Sequence, residues 1–129
     1  MHSIHRGWAA AAAVAAVIPA TLAMAATSPA QPIARAARTC GLAGEWASLG
    51  PTYVETLNVS GTSCGRGANV IKAYNHCRLS AGGAKGRCHA RVLGSRCSET
   101  RSTGPVQFVA SVRCTKGRTV VKFAYSENF

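Results

Sequence analysis

The residues predict an α+β domain: one helix packed on a small, three- to four-stranded mixed sheet, in the order β-α-β-β-β, stapled by disulfides. Three observations carry this. One stretch repeats its apolar residues at helical spacing, several short stretches alternate with period two, and six cysteines crowd into roughly 90 residues.

The first strand is "YVETLNVSG", residues 53–61. It alternates Tyr53, Glu55, Leu57, Val59 against Val54, Thr56, Asn58, Ser60 and ends at a glycine. Thr62 or Ser63 can cap the helix that follows. In "CGRGANVIKAYNHC", Val70, Tyr74 and Cys77 recur at i, i+4 and i+7. Cys64, Ala68 and Ile71 widen that stripe, and Arg66, Asn69, Lys72, Asn75 and His76 take the other side. Residues 80–86, "SAGGAKG", read as a loop. Three strands are expected after it. Residues 89–97 are the least regular. Residues 105–114 put Val106, Phe108, Ala110, Val112 and Cys114 on one face. Residues 118–126 put Thr119, Val121, Phe123 and Tyr125 on one face, after a tight hairpin at Lys116-Gly117.

Residues 1–25 are expected to be a secretory signal peptide. Arg6 makes the start positive, residues 9–18 form an Ala/Val/Ile run, and Ala23-Met24-Ala25 offers a small-residue cleavage site. The apolar run falls short of the roughly 20 residues that cross a bilayer, so no membrane span is expected after cleavage. Residues 26–39 are Pro/Ala-rich without period and are read as a flexible arm. The disulfide-rich domain is then residues 40–129, a size at which a single core is marginal without staples.

Cys40, Cys64, Cys77, Cys88, Cys97 and Cys114 all lie in the exported part, and exported thiols oxidise. A zinc site would use a C-x₂₋₄-C or H-x₃₋₅-H grip, and neither spacing occurs, so no metal or other cofactor is expected. Direction assigns the bridges. If the first strand runs up, the helix runs down and the next strands run up, down and up. Cys64 and Cys97 then meet at the top. Cys77 and Cys88 meet at the bottom, as do Cys40 and Cys114. The expected bridges are Cys64–Cys97, Cys77–Cys88 and Cys40–Cys114. Gly65 and Gly67 weaken the helix start by roughly 1 kcal/mol each, which the staples offset, and the missing side chains let the helix lie close on the sheet. Cys97 and Val92 stand at an odd spacing, so a β-bulge is expected at Gly94-Ser95.

Charge bounds the partners. The chain has 15 Lys and Arg against four Glu and no Asp. Only Arg6 lies in the leader, so the exported part carries about +10 and favours polyanions. Outward positions on the sheet are Arg91 and Arg96, Arg113, and Lys122, and they are the expected polyanion-binding residues. A hairpin centred on Lys116-Gly117 sets Arg113 and Lys122 diagonally, with Arg91 beside Arg113. Aromatic residues are sparse there, so sequence-specific nucleic-acid reading is not expected. An anionic cell-envelope polymer is the expected partner, and the protein is expected to be a monomer.

The stretches "TSCGRGANVIKAYNHCR", "GRCHARVLGSRCSETR" and "VASVRCTKGRTVVKFAYSENF", with Cys40-Gly41, resemble a group of small exported actinobacterial proteins. The resemblance implies export and a disulfide-bonded domain. It brings no catalytic residues. Ser95-Arg96 stands where an aromatic is common in that group, and Gly67 where alanine is usual.

Chemistry is thinly represented. The exported histidines are His76 and His89. A Glu99/His/Arg101 set would suit general acid–base cleavage of RNA, but one strand is expected to hold His89 and Glu99 roughly 25 Å apart. The expected function is a small, basic, exported, non-enzymatic module. The alternatives are a ribonuclease-like hydrolase and a protease-inhibitor or protein-contact domain.

Overall fold

A computed structural model describes residues 36–129. The predicted signal peptide and most of the predicted arm lie outside the described residues. Among those described, one helix packs on a five-stranded antiparallel sheet of order β1-β2-β5-β4-β3. The strands are β1 (Arg38–Thr39), β2 (Tyr53–Ser60), β3 (Arg96–Thr103), β4 (Gln107–Lys116) and β5 (Thr119–Asn128), and α1 spans Cys64–Gly82. The α+β class and the disulfide staples match expectation. The sheet has one strand more than expected and no parallel pair.

The extra strand comes from the end of the predicted arm. Arg38 and Thr39 pair with Val59 and Asn58, and the Cys40 amide donates to the Leu57 carbonyl at 2.8 Å. This short edge strand runs antiparallel to β2, so Cys40 arrives beside the start of α1.

One missed reversal explains the parallel pairing that was expected. Residues 89–95 form no long strand. The Val92 and Ser95 amides and carbonyls bond each other at 2.9 and 2.8 Å, closing a two-residue turn. Leu93 and Gly94 occupy it with φ of 48° and 79°, the mirror-image geometry that suits right-twisted hairpins. The irregularity expected at Gly94-Ser95 is therefore a full chain reversal. A bulge does occur, but on β2 against β5 between Val54 and Thr56. Because the chain turns at Leu93-Gly94, β3 runs down where its predecessor was expected to run up, and β4 and β5 are inverted in turn. Cys114 then lies at the top, opposite Cys97 in the β3–β4 register.

The bridges follow these directions. Cys77–Cys88 forms as predicted. The expected Cys64–Cys97 and Cys40–Cys114 bridges are replaced by Cys40–Cys64 and Cys97–Cys114. All four of these cysteines stand at one end of the sheet, and there each pairs with the nearest partner.

The helix begins as its sequence requires. Ser63 caps it by accepting from the Arg66 amide at 3.2 Å. It extends through Ser80 and Ala81 to Gly82, past the predicted loop start, and Gly83 follows with φ 66°. Val70, Ile71 and Tyr74 are buried with Leu57, Val59, Phe108, Val112, Val121, Phe123 and Tyr125. Gly67 permits this contact, because a Cβ there would come within 2.7 Å of Val59 Cγ1. Gly65 is exposed with no atom near such a Cβ, so it has no packing role.

Candidate functional site

Two constellations of polar residues stand on opposite faces of the sheet. The first is buried under the helix. β3 alternates Cys97, Glu99 and Arg101 inward with Ser98, Thr100 and Ser102 outward. Glu99 accepts from the Tyr74 hydroxyl at 2.8 Å and the Tyr125 hydroxyl at 2.6 Å. The Arg101 guanidinium lies 2.7 Å from its other oxygen, and Arg87 lies 3.4 Å away. Arg101 also donates to the Lys85 and Gly86 carbonyls, each at 2.9 Å, and stacks 3.7 Å over the Phe108 ring. Beside it, the wholly buried Arg78 pairs with Glu127, donates to the Ala84 carbonyl and faces the Tyr125 ring.

Charge balance and hydrogen bonding make this cluster tolerable in a core, since an unpaired charge there is costly. These bonds tie α1, β3, β5 and residues 84–87 together. The Glu99/His/Arg101 set weighed as an alternative is not assembled among the described contacts. Glu99 is bonded to tyrosines and arginines, and neither histidine is among its partners. His76 is exposed on the helix. His89 is exposed in a hollow with Ala90, Arg91, Arg96 and Cys97. The turn at Leu93-Gly94 folds His89 back beside the start of β3, so a single strand does not separate it from Glu99.

Burial, then the hydrogen bond to Glu99, raises the ionisation of both Tyr74 and Tyr125 well above the ordinary phenol range. A raised folded-state pKa gives stability that is complete below the unfolded value near 10 and is lost as pH climbs toward the folded value. We expect unfolding free energy to fall as pH rises above about 10, by at most about 3 kcal/mol per pH unit for the two groups together. Denaturant titrations across alkaline pH will measure this. Tyr74→Phe/Tyr125→Phe should flatten the slope, and an unchanged slope would contradict the assignment.

The second constellation is the open face. Pairing sets its residues in cross-strand rows. Asn58, Lys122, Arg113 and Ser98 form one row. Thr56, Ala124, Ser111 and Thr100 form the next, and Ser60, Val120, Thr115 and Arg96 the row above. Arg113 and Lys122 are direct partners and not diagonal ones, because the hairpin is centred on Gly117-Arg118, with Gly117 at φ 57°. Ser98, and not Arg91, is the β3 neighbour of Arg113. Arg91 lies before the Leu93-Gly94 turn and donates to the Gly94 carbonyl at 3.3 Å. Three of the four expected cations, Arg96, Arg113 and Lys122, thus share the open face, and Arg91 meets Arg96 only in the hollow at its edge.

Like charges directly opposite each other destabilise a strand pair. Arg113 and Lys122 face one another, and none of the ion pairs among the described residues includes either of them or Arg96. No carboxylate occupies an outward position of β3, β4 or β5 in the register. The two cations border a shallow hollow of about 310 Å³ with Thr56, Ser98, Thr100 and Ser111. Sequence reasoning missed Ser98 and Thr100 because β3 itself was missed. Its inward residues are Cys, Glu and Arg, so period two was present but carried no apolar signal.

Among the described residues, no helix is long and apolar enough to cross a membrane, and three disulfides fit an oxidising compartment. The chain matches no protein-family model, and neither the curated proteins nor the solved structures contain a significant match to it.

Proposed function

We propose that this chain is an exported, non-enzymatic binding module whose open sheet face holds an anionic polymer, such as one of the cell envelope. The observation that carries the reading is the Arg113–Lys122 pair, joined by Arg96, on β3, β4 and β5, none of which turns a carboxylate outward; the exposed Glu55 stands apart from it, at the β2 bulge beside Thr56. An anionic ligand would turn an unfavourable cross-strand pair into a favourable site. The leader-like start, the basic balance and the resemblance to small exported actinobacterial proteins support export.

Retention on an immobilised anionic polymer will test this. Arg113→Glu/Lys122→Glu should elute at clearly lower salt than the wild type. Arg66→Glu/Lys72→Glu, on exposed helix positions, makes the same change in net charge and should keep most of the retention. Equal losses in the two variants would mean that net charge alone governs binding, and the open-face reading would fail.

A further inference from the structure

We propose that the polymer held by the open face is an anionic glycan, with its acid group at Arg113 and Lys122 and a neighbouring sugar ring at Tyr53 and Val109. This rests on the open-face reading and specifies its ligand. The row below Thr56 and Ser111 runs Tyr53, Ser126, Val109, Ser102. Tyr53 is 50% and Val109 39% exposed, while Ser126 between them is only 8% exposed. The face therefore passes from cations at one end, through hydroxyls, to an aromatic and an aliphatic surface at the other.

Each zone asks for different chemistry. The cations take an acid. Tyr53 and Val109 offer an apolar surface to the C–H face of a ring. The middle zone discriminates. Thr56, Ser98, Thr100 and Ser111 line the hollow, and a hydroxyl both donates and accepts. A bare phosphate chain such as inorganic polyphosphate presents acceptors only and would leave the accepting capacity of Ser98, Thr100 and Ser111 unused. Sugar hydroxyls also donate and accept, so they match it. Thr56 already accepts from the Ala124 amide at 3.2 Å, which leaves its own proton to donate. Val109 and Arg113 stand four residues apart on β4, roughly 13 Å. That span exceeds one sugar ring, so the acid and the stacked ring belong to different units of the chain. Among the described side chains of these rows Tyr53 is the one aromatic, and one ring does not provide the successive platforms that bases require.

Titration calorimetry of the full exported chain at fixed low salt, with three polymers, will test this. The probes are polygalacturonate, an anionic glycan; inorganic polyphosphate, an anion without sugar; and dextran, a neutral glycan. Polygalacturonate should bind several-fold more tightly per unit charge than polyphosphate. Tyr53→Ala should weaken polygalacturonate binding about five- to tenfold, the scale of one stacked contact, and leave polyphosphate binding unchanged. Thr100→Val/Ser111→Ala should show the same selectivity. Arg113→Glu/Lys122→Glu should lose both polyanions. Equal affinity per charge, or a Tyr53→Ala effect that is absent or shared by both polyanions, would overturn the glycan assignment and leave the polyanion reading standing. Failure of both polyanions to bind would overturn the polyanion reading itself. Dextran binding that persists in Arg113→Glu/Lys122→Glu would overturn the role given to the acid group.

Discussion

Glu99→Ala is expected to destabilise the domain by about 3–5 kcal/mol, the usual cost of removing one partner from a buried ion pair. The change strands Arg101, whose side chain is only 5% exposed, without its carboxylate. It also leaves the Tyr74 and Tyr125 hydroxyls without the acceptor they share. The helix, two strands and residues 85–87 meet at this carboxylate, so the loss is felt across the fold. Equilibrium unfolding in denaturant, with the disulfides intact, will measure it. Tyr125→Phe removes one donor and leaves Glu99 paired with Arg101, so it should cost only about 1 kcal/mol. A Glu99→Ala variant no less stable than Tyr125→Phe would show that the cluster does not brace the core.

Removing the Cys40–Cys64 bridge, as Cys40→Ala/Cys64→Ala, should cost about 3 kcal/mol. The bridge closes a sequence separation of 24 residues, and loop closure of that size restricts the unfolded chain by about this amount. It also ties the short edge strand β1 to the helix start, so the N-terminal part of the described chain should lose amide protection first. Non-reducing peptide mapping provides the structural control and should recover Cys40–Cys64, Cys77–Cys88 and Cys97–Cys114. Recovery of Cys64–Cys97 instead would mean that β3 runs in the opposite direction, and the open-face rows would have to be redrawn.

The open face couples stability to binding with opposite signs. Lys122 faces Arg113, so the single reversal Arg113→Glu weakens the anion site yet creates a favourable cross-strand pair, whereas Arg113→Glu/Lys122→Glu keeps two like charges opposite each other, as in the wild type. Loss of retention in the single variant is therefore not a symptom of unfolding.

Local chemistry made most elements legible from the residues alone. The stripe of Val70, Ile71 and Tyr74 and the Ser63 cap define α1, and the period-two faces of β4 and β5 bury Phe108, Ala110, Val112, Val121, Phe123 and Tyr125. Val106, placed on that face from its spacing, is 65% exposed, because β4 begins at Gln107 and Val106 belongs to the turn before it. Cys77 and Cys88 flank one short connection, so their bridge follows from sequence proximity. The course of residues 89–103 required the folded chain. Leu93, a residue that ordinarily avoids positive φ, takes the turn position next to Gly94, and the inward side of β3 carries a glutamate and an arginine. Neither feature has a local signature, since Glu99 is acceptable in the core only when Tyr74, Tyr125 and Arg101, brought from α1, β5 and two residues further along β3, surround it. That assembly determines the direction of β3, and with it the pairing of four cysteines and the meeting of Arg113 with Lys122, because strand direction is set by which partners can be satisfied together and not by any one stretch of chain.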